Sequence, residues 1–296
     1  MNQDLDIALL RTFVAIVDTG VDWNHRNIDW ENFWFNQNGD IGRDFFEDSP
    51  KPWDFDGHGT MVAGLIAGSW KDKDGIAGIN PFARLMILKA VNNFGHTRAS
   101  YVAQAIAYAA DNGARVINLS VGGENVTEIE TAAIDYAYSK GVVMVVAAGN
   151  EGADISKYGM AASDKVLVVA ATGLNDQRAP FSNWGKISVA APGVDILSLR
   201  ARRTDTMLGI PGLKYAAGAN FVGEDKRYYH ASGTSFAAPL VTGLASLHRR
   251  CWSFHTNMTS CRMLRSLGRQ PRPGPTIISR RELISGRSAL LFRCQI

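Results

Sequence analysis

Short apolar runs, each followed by a turn that carries glycine, recur through residue 193. They fall at 13–17, 84–91, 116–120, 142–148, 166–171 and 187–191. Continuous apolar runs of this length suit strands buried on both faces of a parallel sheet. Between them the period lengthens. Residues 58–68 (HGTMVAGLIAG) read as a helix dense in small residues. Glycine inside a helix costs about 1 kcal/mol relative to alanine, so close packing is the reason to keep it. Ser100 is placed to cap a helix that carries Tyr101, Val102, Ala105, Ile106 and Ala109 on one face and stops at Gly113. Thr127 with Glu130 makes a capping box for a helix ending at Lys140-Gly141. Residues 236–247 continue Ser235 as a buried apolar helix, while 22–57 and 200–229 read as long irregular surface connections. Strand–helix alternation predicts an α/β fold, a doubly wound, mostly parallel sheet with helices on both faces. In such sheets sites gather beyond the carboxyl ends of the strands, which is where Asp18, Ser120 and Asn150 fall.

Ser235 stands at the start of its helix, where unpaired backbone N–H groups and partial positive charge suit a nucleophile that must form an oxyanion. Taken alone, a serine there is more often a cap. By the same token Asp18 alone is a turn residue, His58 a structural histidine and Asn150 a turn former. Together they supply an orienting acid, a general base, a nucleophile and an oxyanion donor. Their chain order, Asp…His…Ser, is the order found in subtilisin.

At these residues the chain resembles the subtilisin-like serine proteases. The motifs are VAIVDTGVD around Asp18, GHGTMVAG around His58, SVGG at 120–123, AAGNEG around Asn150 and GTSFAAP around Ser235. The resemblance runs from about Phe13 to about Leu247 and implies a serine endopeptidase that works through an acyl-enzyme. It implies Ser235 as nucleophile, His58 as base, Asp18 as orienting acid, and the Asn150 amide with the Ser235 N–H as oxyanion donors. It further implies that protein or peptide substrates pair as an added strand between residues 93–97, which include Gly95, and residues 120–123, which include Ser120, Val121 and Gly122. The P1 side chain would lie between 120–122 and 147–149, whose Ala147 and Gly149 are small and neutral, so broad specificity with an apolar or aromatic preference is expected. His96 sits at the rim. Calcium is common in relatives. Asp48, Asp54 and Asp56, or Asp72 and Asp74, are an acidic loop of that kind, and a solvated acidic loop is an equally good reading. Phe236 stands where many relatives carry methionine. No phosphate loop, zinc spacing or dinucleotide fingerprint occurs.

The composition, 46% hydrophobic and 20% charged over 296 residues, is that of an ordinary globular protein. No run reaches the ~18 apolar residues of a membrane span. The start, MNQDLDIALLR, lacks the basic and apolar regions of a signal peptide, and no segment like the propeptide of relatives precedes Phe13, so a fragment of a longer precursor is one reading; relatives are mostly secreted, and the location stays open. Charge changes the picture at the other end. Residues 249–296 hold ten arginines, no lysine, one acid (Glu282) and all three cysteines, whereas residues 1–248 are net acidic. The expected division is an extension at 1–12, a peptidase domain at 13–248 and an atypical tail at 249–296. Two readings of the tail stand: the product of a shifted reading frame, or a basic segment for nucleic acid or acidic surfaces. No nucleic-acid partner is expected of the domain itself. If the tail lacks the family's closing elements, the Ser235 helix is short of packing. The alternative to an active peptidase is then an incomplete, non-catalytic remnant.

Overall fold

The computed structural model describes residues 11–71, 75–123, 125–202, 221–222 and 225–247, with the backbone of Thr276–Ile277. The apolar runs form the strands β1 (Phe13–Asp18), β3 (Arg84–Lys89), β4 (Val116–Leu119), β5 (Val143–Ala147), β6 (Leu167–Thr172) and β7 (Val189–Pro192). With the short β2 (Gly42–Asp44) and β11 (Thr276–Ile277) they make one sheet in the order β11-β7-β6-β5-β4-β1-β3-β2. Every pair in it is parallel.

Alternation within each strand explains why the runs are continuously apolar. Val14 and Ile16 of β1, Leu85 and Ile87 of β3, and Val143 and Val145 of β5 join one core. Their neighbours Ala15, Val17, Met86, Leu88, Met144 and Val146 join the other. The first core is closed by α1 (His58–Ala67) and α4 (Thr234–Leu247), through Val62, Ala63, Ile66, Ala237, Ala238 and Val241. The second is closed by α2 (Ala99–Asp111) and α3 (Glu128–Ser139), through Val102, Ile106, Ile134 and Ala137. The doubly wound sheet with helices on both faces is thus present. The chain turns from β1 first toward β3 and later toward β4, so the strand order reverses at β1 and β4. A crevice opens at their carboxyl ends for that reason.

Four details differ from the sequence reading. Residues 22–57 are not wholly irregular: Trp30–Asn32 form a short 3-10 turn and Gly42–Asp44 add the edge strand β2, both too brief to leave a periodic signal. The cap of α2 is Arg98, whose carbonyl receives Tyr101 N and Val102 N, and Ser100 lies inside the first turn. Thr127 does form its capping box with Glu130. The span 200–229 is not simply a surface loop. A three-stranded antiparallel sheet, β8 (Ile196–Leu199), β9 (Phe221–Val222) and β10 (Tyr228–Ala231), buries Tyr228 and Tyr229. Finally, α4 is packed against the described elements of the domain. Nearly all of it is buried against β4–β7 and α1, Thr242 Oγ1 donates to Asn118, and Ser246 is held by Thr12 and Asn80 near its last turn. The tail itself, apart from the two residues of β11, and Asp72 and Asp74 lie outside the described residues.

Candidate active site

Asp18 ends β1 and is 1% exposed. Its Oδ1 accepts the backbone N–H of Thr19 at 2.8 Å and faces His58 Nδ1 at 2.7 Å. This contact fixes the imidazole: Nδ1 carries the proton toward the carboxylate, and Nε2 is the nitrogen left for chemistry. His58 begins α1, after Gly57, whose φ of 110° places it in the left-handed region. Close approach of α1 to the β1 turn brings the two residues together. A Cβ on Gly59 would lie 2.2 Å from Gly20 O, so only glycine permits this packing.

A buried carboxylate that the sequence suggested as a calcium ligand organises this corner instead. Asp54 Oδ1 accepts Thr19 Oγ1, Asp56 N and Gly57 N, and its Oδ2 accepts Thr60 N and Thr60 Oγ1, at 2.6–3.0 Å. It therefore collects the unpaired amides at the start of α1. Thr19 Oγ1 in turn accepts Gly59 N, tying β1 to the same helix. With both oxygens engaged by donors, Asp54 has no lone pair directed at a cation. Asp48 lies on the surface in an ion pair with Arg43, and Asp56 accepts His58 N. Burial pushes the Asp56 carboxyl up to about 6, with His58 opposing and Asp54 adding to the rise. These three acids do not fit a calcium site, and no cluster of metal-ligating side chains occurs among the described residues.

Burial by itself would lower the pKa of His58. The Asp18 charge and hydrogen bond, with Asp56 and Asp54 behind them, outweigh it and hold the imidazole above its ordinary range.

Ser235 is the second residue of α4. Its neighbour Phe236 packs against the His58 ring, with centroids 5.3 Å apart, which brings the start of α4 beside His58. Pro239 explains how Ser235 is held. Lacking an N–H, Pro239 leaves the carbonyl four residues earlier, that of Ser235, without its helical donor. Ser120 Oγ fills the gap at 3.0 Å, and Ser235 Oγ donates back to Ser120 O at 3.3 Å. Ser120 is itself fixed by Asn118 Nδ2 at 2.8 Å. The Ser235 hydroxyl thus rests on Ser120, and turning about χ1 redirects it.

Asn150 lies across from the start of α4. Its Oδ1 accepts Thr234 N at 2.8 Å and Thr234 Oγ1 at 3.0 Å, which commits the oxygen and leaves the Nδ2 end as donor. Gly149 N donates to Thr234 Oγ1, so the turn after β5 is tied to the start of α4. Asn183, fully buried, braces that turn by donating to Ala148 O and Glu151 and accepting Glu151 N and Ala153 N. Thr234, Asn183, Asn118 and Asp54 were missed as site residues by sequence reasoning. Only Thr234 sits inside a recognisable motif; the others act through long-range contacts that no local pattern reveals.

Both expected substrate segments reach the surface, although Ser120 itself is buried. Residues 92–97 form a tight turn closed by Asn92 N to His96 O, with Gly95 at φ 76° and Phe94 and His96 in solvent. This turn follows β3 beside Asp18, whose carbonyl accepts Val91 N. Val121 is half-buried, and Gly122 and Gly123 face open space beyond Ser120. Ala147 and Gly149 are partly exposed at the end of β5. No helix among the described residues is long and apolar enough to cross a membrane.

Comparison with known proteins gives the family. A thermophilic serine proteinase of Bacillus sp. (strain AK1) is 38% identical over 235 residues, covering 79% of this chain and 51% of that protein. Thermitase of Thermoactinomyces vulgaris is 36% identical over the same share of this chain and 73% of its own length. The chain thus spans about half of the first relative and about three quarters of the second. A crystal structure of a cold-adapted subtilisin-like serine proteinase superposes with a TM-score of 0.64 at 28% identity, over 81% of this chain and 76% of the other. The sequence profile of the subtilase family matches residues 11–264, from before β1 to beyond α4, and this chain belongs to that family.

Proposed function

We propose that this chain is a serine endopeptidase whose triad is Asp18, His58 and Ser235. The observation that carries the reading is the 2.7 Å Asp18–His58 contact beside a serine at a helix start, with a committed asparagine amide opposite. In this mechanism Ser235 Oγ turns from Ser120 O to His58 Nε2, gives up its proton and attacks the scissile carbonyl carbon. Asp18 stabilises the imidazolium that forms. The carbonyl oxygen, now anionic, is received by Asn150 Nδ2 and Ser235 N. His58 then protonates the departing amine, which leaves an ester on Ser235, and water hydrolyses that ester by the same steps in reverse.

The segments 93–97 and 120–123 are proposed to pair with substrate backbone, so that recognition rests largely on main-chain hydrogen bonds. Small neutral walls at Ser120, Gly122, Ala147 and Gly149 favour an apolar or aromatic P1 side chain. Acceptance of Phe or Leu over Lys or Glu at P1 by at least tenfold in kcat/KM checks this point.

A fluorophosphonate probe tests the reading itself. Covalent labelling of the wild-type chain and none of Ser235→Ala supports it. A folded wild-type sample that is not labelled supports the non-catalytic alternative. Asn150→Ala is expected to lower kcat by about 10²–10³, the loss measured when subtilisin's own oxyanion asparagine is removed.

A further inference from the structure

Lys89 ends β3 with only 4% of its surface exposed, and no step of the proposed reaction uses it. Its Nζ donates to Thr19 O at 2.8 Å, Trp53 O at 2.9 Å and Asn93 Oδ1 at 2.7 Å. An ammonium has three N–H groups, and here each meets an acceptor from a different segment. Thr19 follows Asp18. Trp53 opens the segment that leads through Asp54 to His58. Asn93 belongs to the exposed turn proposed to pair with substrate. Lys89 is also the direct partner of Asp18 in the β1–β3 ladder, and the next two amides, Ala90 N and Val91 N, both donate to Asp18 O. Burial lowers the lysine's pKa, opposed by Asp54, Asp44, Asp56 and Glu47. An apolar side chain of similar length would fill the space without any desolvation cost, but it would join nothing.

We propose that Lys89 is a positioning residue: its ammonium locks the Asp18 turn, the approach to His58 and the substrate-pairing turn into one arrangement. The inference rests on the endopeptidase reading and extends it, since it makes substrate contact at 93–97 and the geometry of the acid–histidine pair parts of one unit. Removing one leg and removing the hub then have different consequences. Asn93→Ala frees only the substrate turn. Lys89→Met frees all three segments while keeping the bulk of the stem.

The test measures kcat and KM on a peptide anilide for wild type, Lys89→Met and Asn93→Ala. It also records the low-field proton resonance of the Asp18–His58 hydrogen bond in a Ser235→Ala background, where neither turnover nor self-digestion intervenes. Asn93→Ala is expected to act mainly on KM, raising it about tenfold, with the resonance retained. Lys89→Met is expected to raise KM and also to lower kcat by about 10- to 100-fold, with the resonance broadened or lost. A folded Lys89→Met with wild-type kcat and an unchanged resonance overturns the proposal, as does Asn93→Ala with wild-type KM. If Lys89→Met does not fold, Lys89→Ala supplies the hub test. Recovery of kcat in n-propylammonium chloride, beyond that in equal sodium chloride, supports the proposal, and equal response to both salts overturns it. Failure of the endopeptidase reading looks different: wild type then shows no Ser235-dependent turnover, while the resonance still reports on Lys89.

Discussion

Asp54→Asn tests the account of the histidine corner with the smallest change of shape. Asp54 is fully buried, and everything around it is a donor: Thr19 Oγ1, Asp56 N and Gly57 N on one oxygen, Thr60 N and Thr60 Oγ1 on the other. A carboxamide replaces one acceptor oxygen with an N–H2 group. Whichever way it is turned, at least two of these donors then face another donor. Hydrogen bonds to a charged acceptor are worth about 1.5–3 kcal/mol each, so two lost bonds amount to about 3–6 kcal/mol. That is a large share of the ~5–15 kcal/mol that keeps a domain folded. Urea unfolding, followed by circular dichroism in a Ser235→Ala background so that no proteolysis distorts the transition, measures the difference. In the active background kcat/KM is expected to fall by more than about tenfold, because the amides at the start of α1 lose the acceptor that fixes its first turn. A destabilisation below about 1 kcal/mol would refute the reasoning, and would mean that Asp54 does not hold the helix start.

Three further outcomes are expected. Because Asp18, Asp56 and Asp54 hold the His58 imidazole above its ordinary range, the acidic limb of kcat/KM lies above pH ~6.5, and Asp56→Asn moves it down; a limb left in place by that substitution contradicts the assignment. The sign for stability is opposite: the contribution from protonated His58 is complete below its unfolded value, ~6.5, and is lost as pH rises through the raised folded value, so activity grows where this stabilisation fades. Gly59→Ala, with a Cβ 2.2 Å from Gly20 O, is expected to cost about 1–3 kcal/mol or more and to lower activity more than Gly122→Ala, whose Cβ meets open space; thermal melts and rates that rank the two equally would be inconsistent with this packing. Phe236 offers no thioether beside His58, so wild type keeps its activity in dilute hydrogen peroxide while Phe236→Met loses it progressively, measured as residual hydrolysis over time.

Much of this molecule was legible in the sequence, for physical reasons that differ from place to place. A strand covered on both faces must be apolar at every position, so β1, β3 and β5 announce themselves. Thr127 and Glu130 identify their helix because both partners of the capping box lie within one turn. Asp18, His58, Asn150 and Ser235 stand out as candidates because each lies in a motif with its own backbone requirement. What stayed hidden depends on contacts distant in sequence. Asp54 carries no mark that separates a carboxylate capping α1 from one awaiting calcium, since the difference lies in where Thr19 and Thr60 place their hydroxyls. Asn183 braces a turn more than thirty residues away. The edge strand β2 and the pair β9–β10 are too short, or too polar in their surroundings, for a period to show.

The missing N–H of Pro239 has a consequence for self-digestion. The carbonyl of Ser235 is held by a serine from the sheet and not by the helix's own ladder. A molecule that opens locally between β4 and α4 therefore loses the setting of Ser235 in the same event. On the proposed endopeptidase reading, such a molecule is open to cleavage by its neighbours while its own Ser235 is out of place, so in a concentrated solution the damaged copies would be removed without adding to the damage.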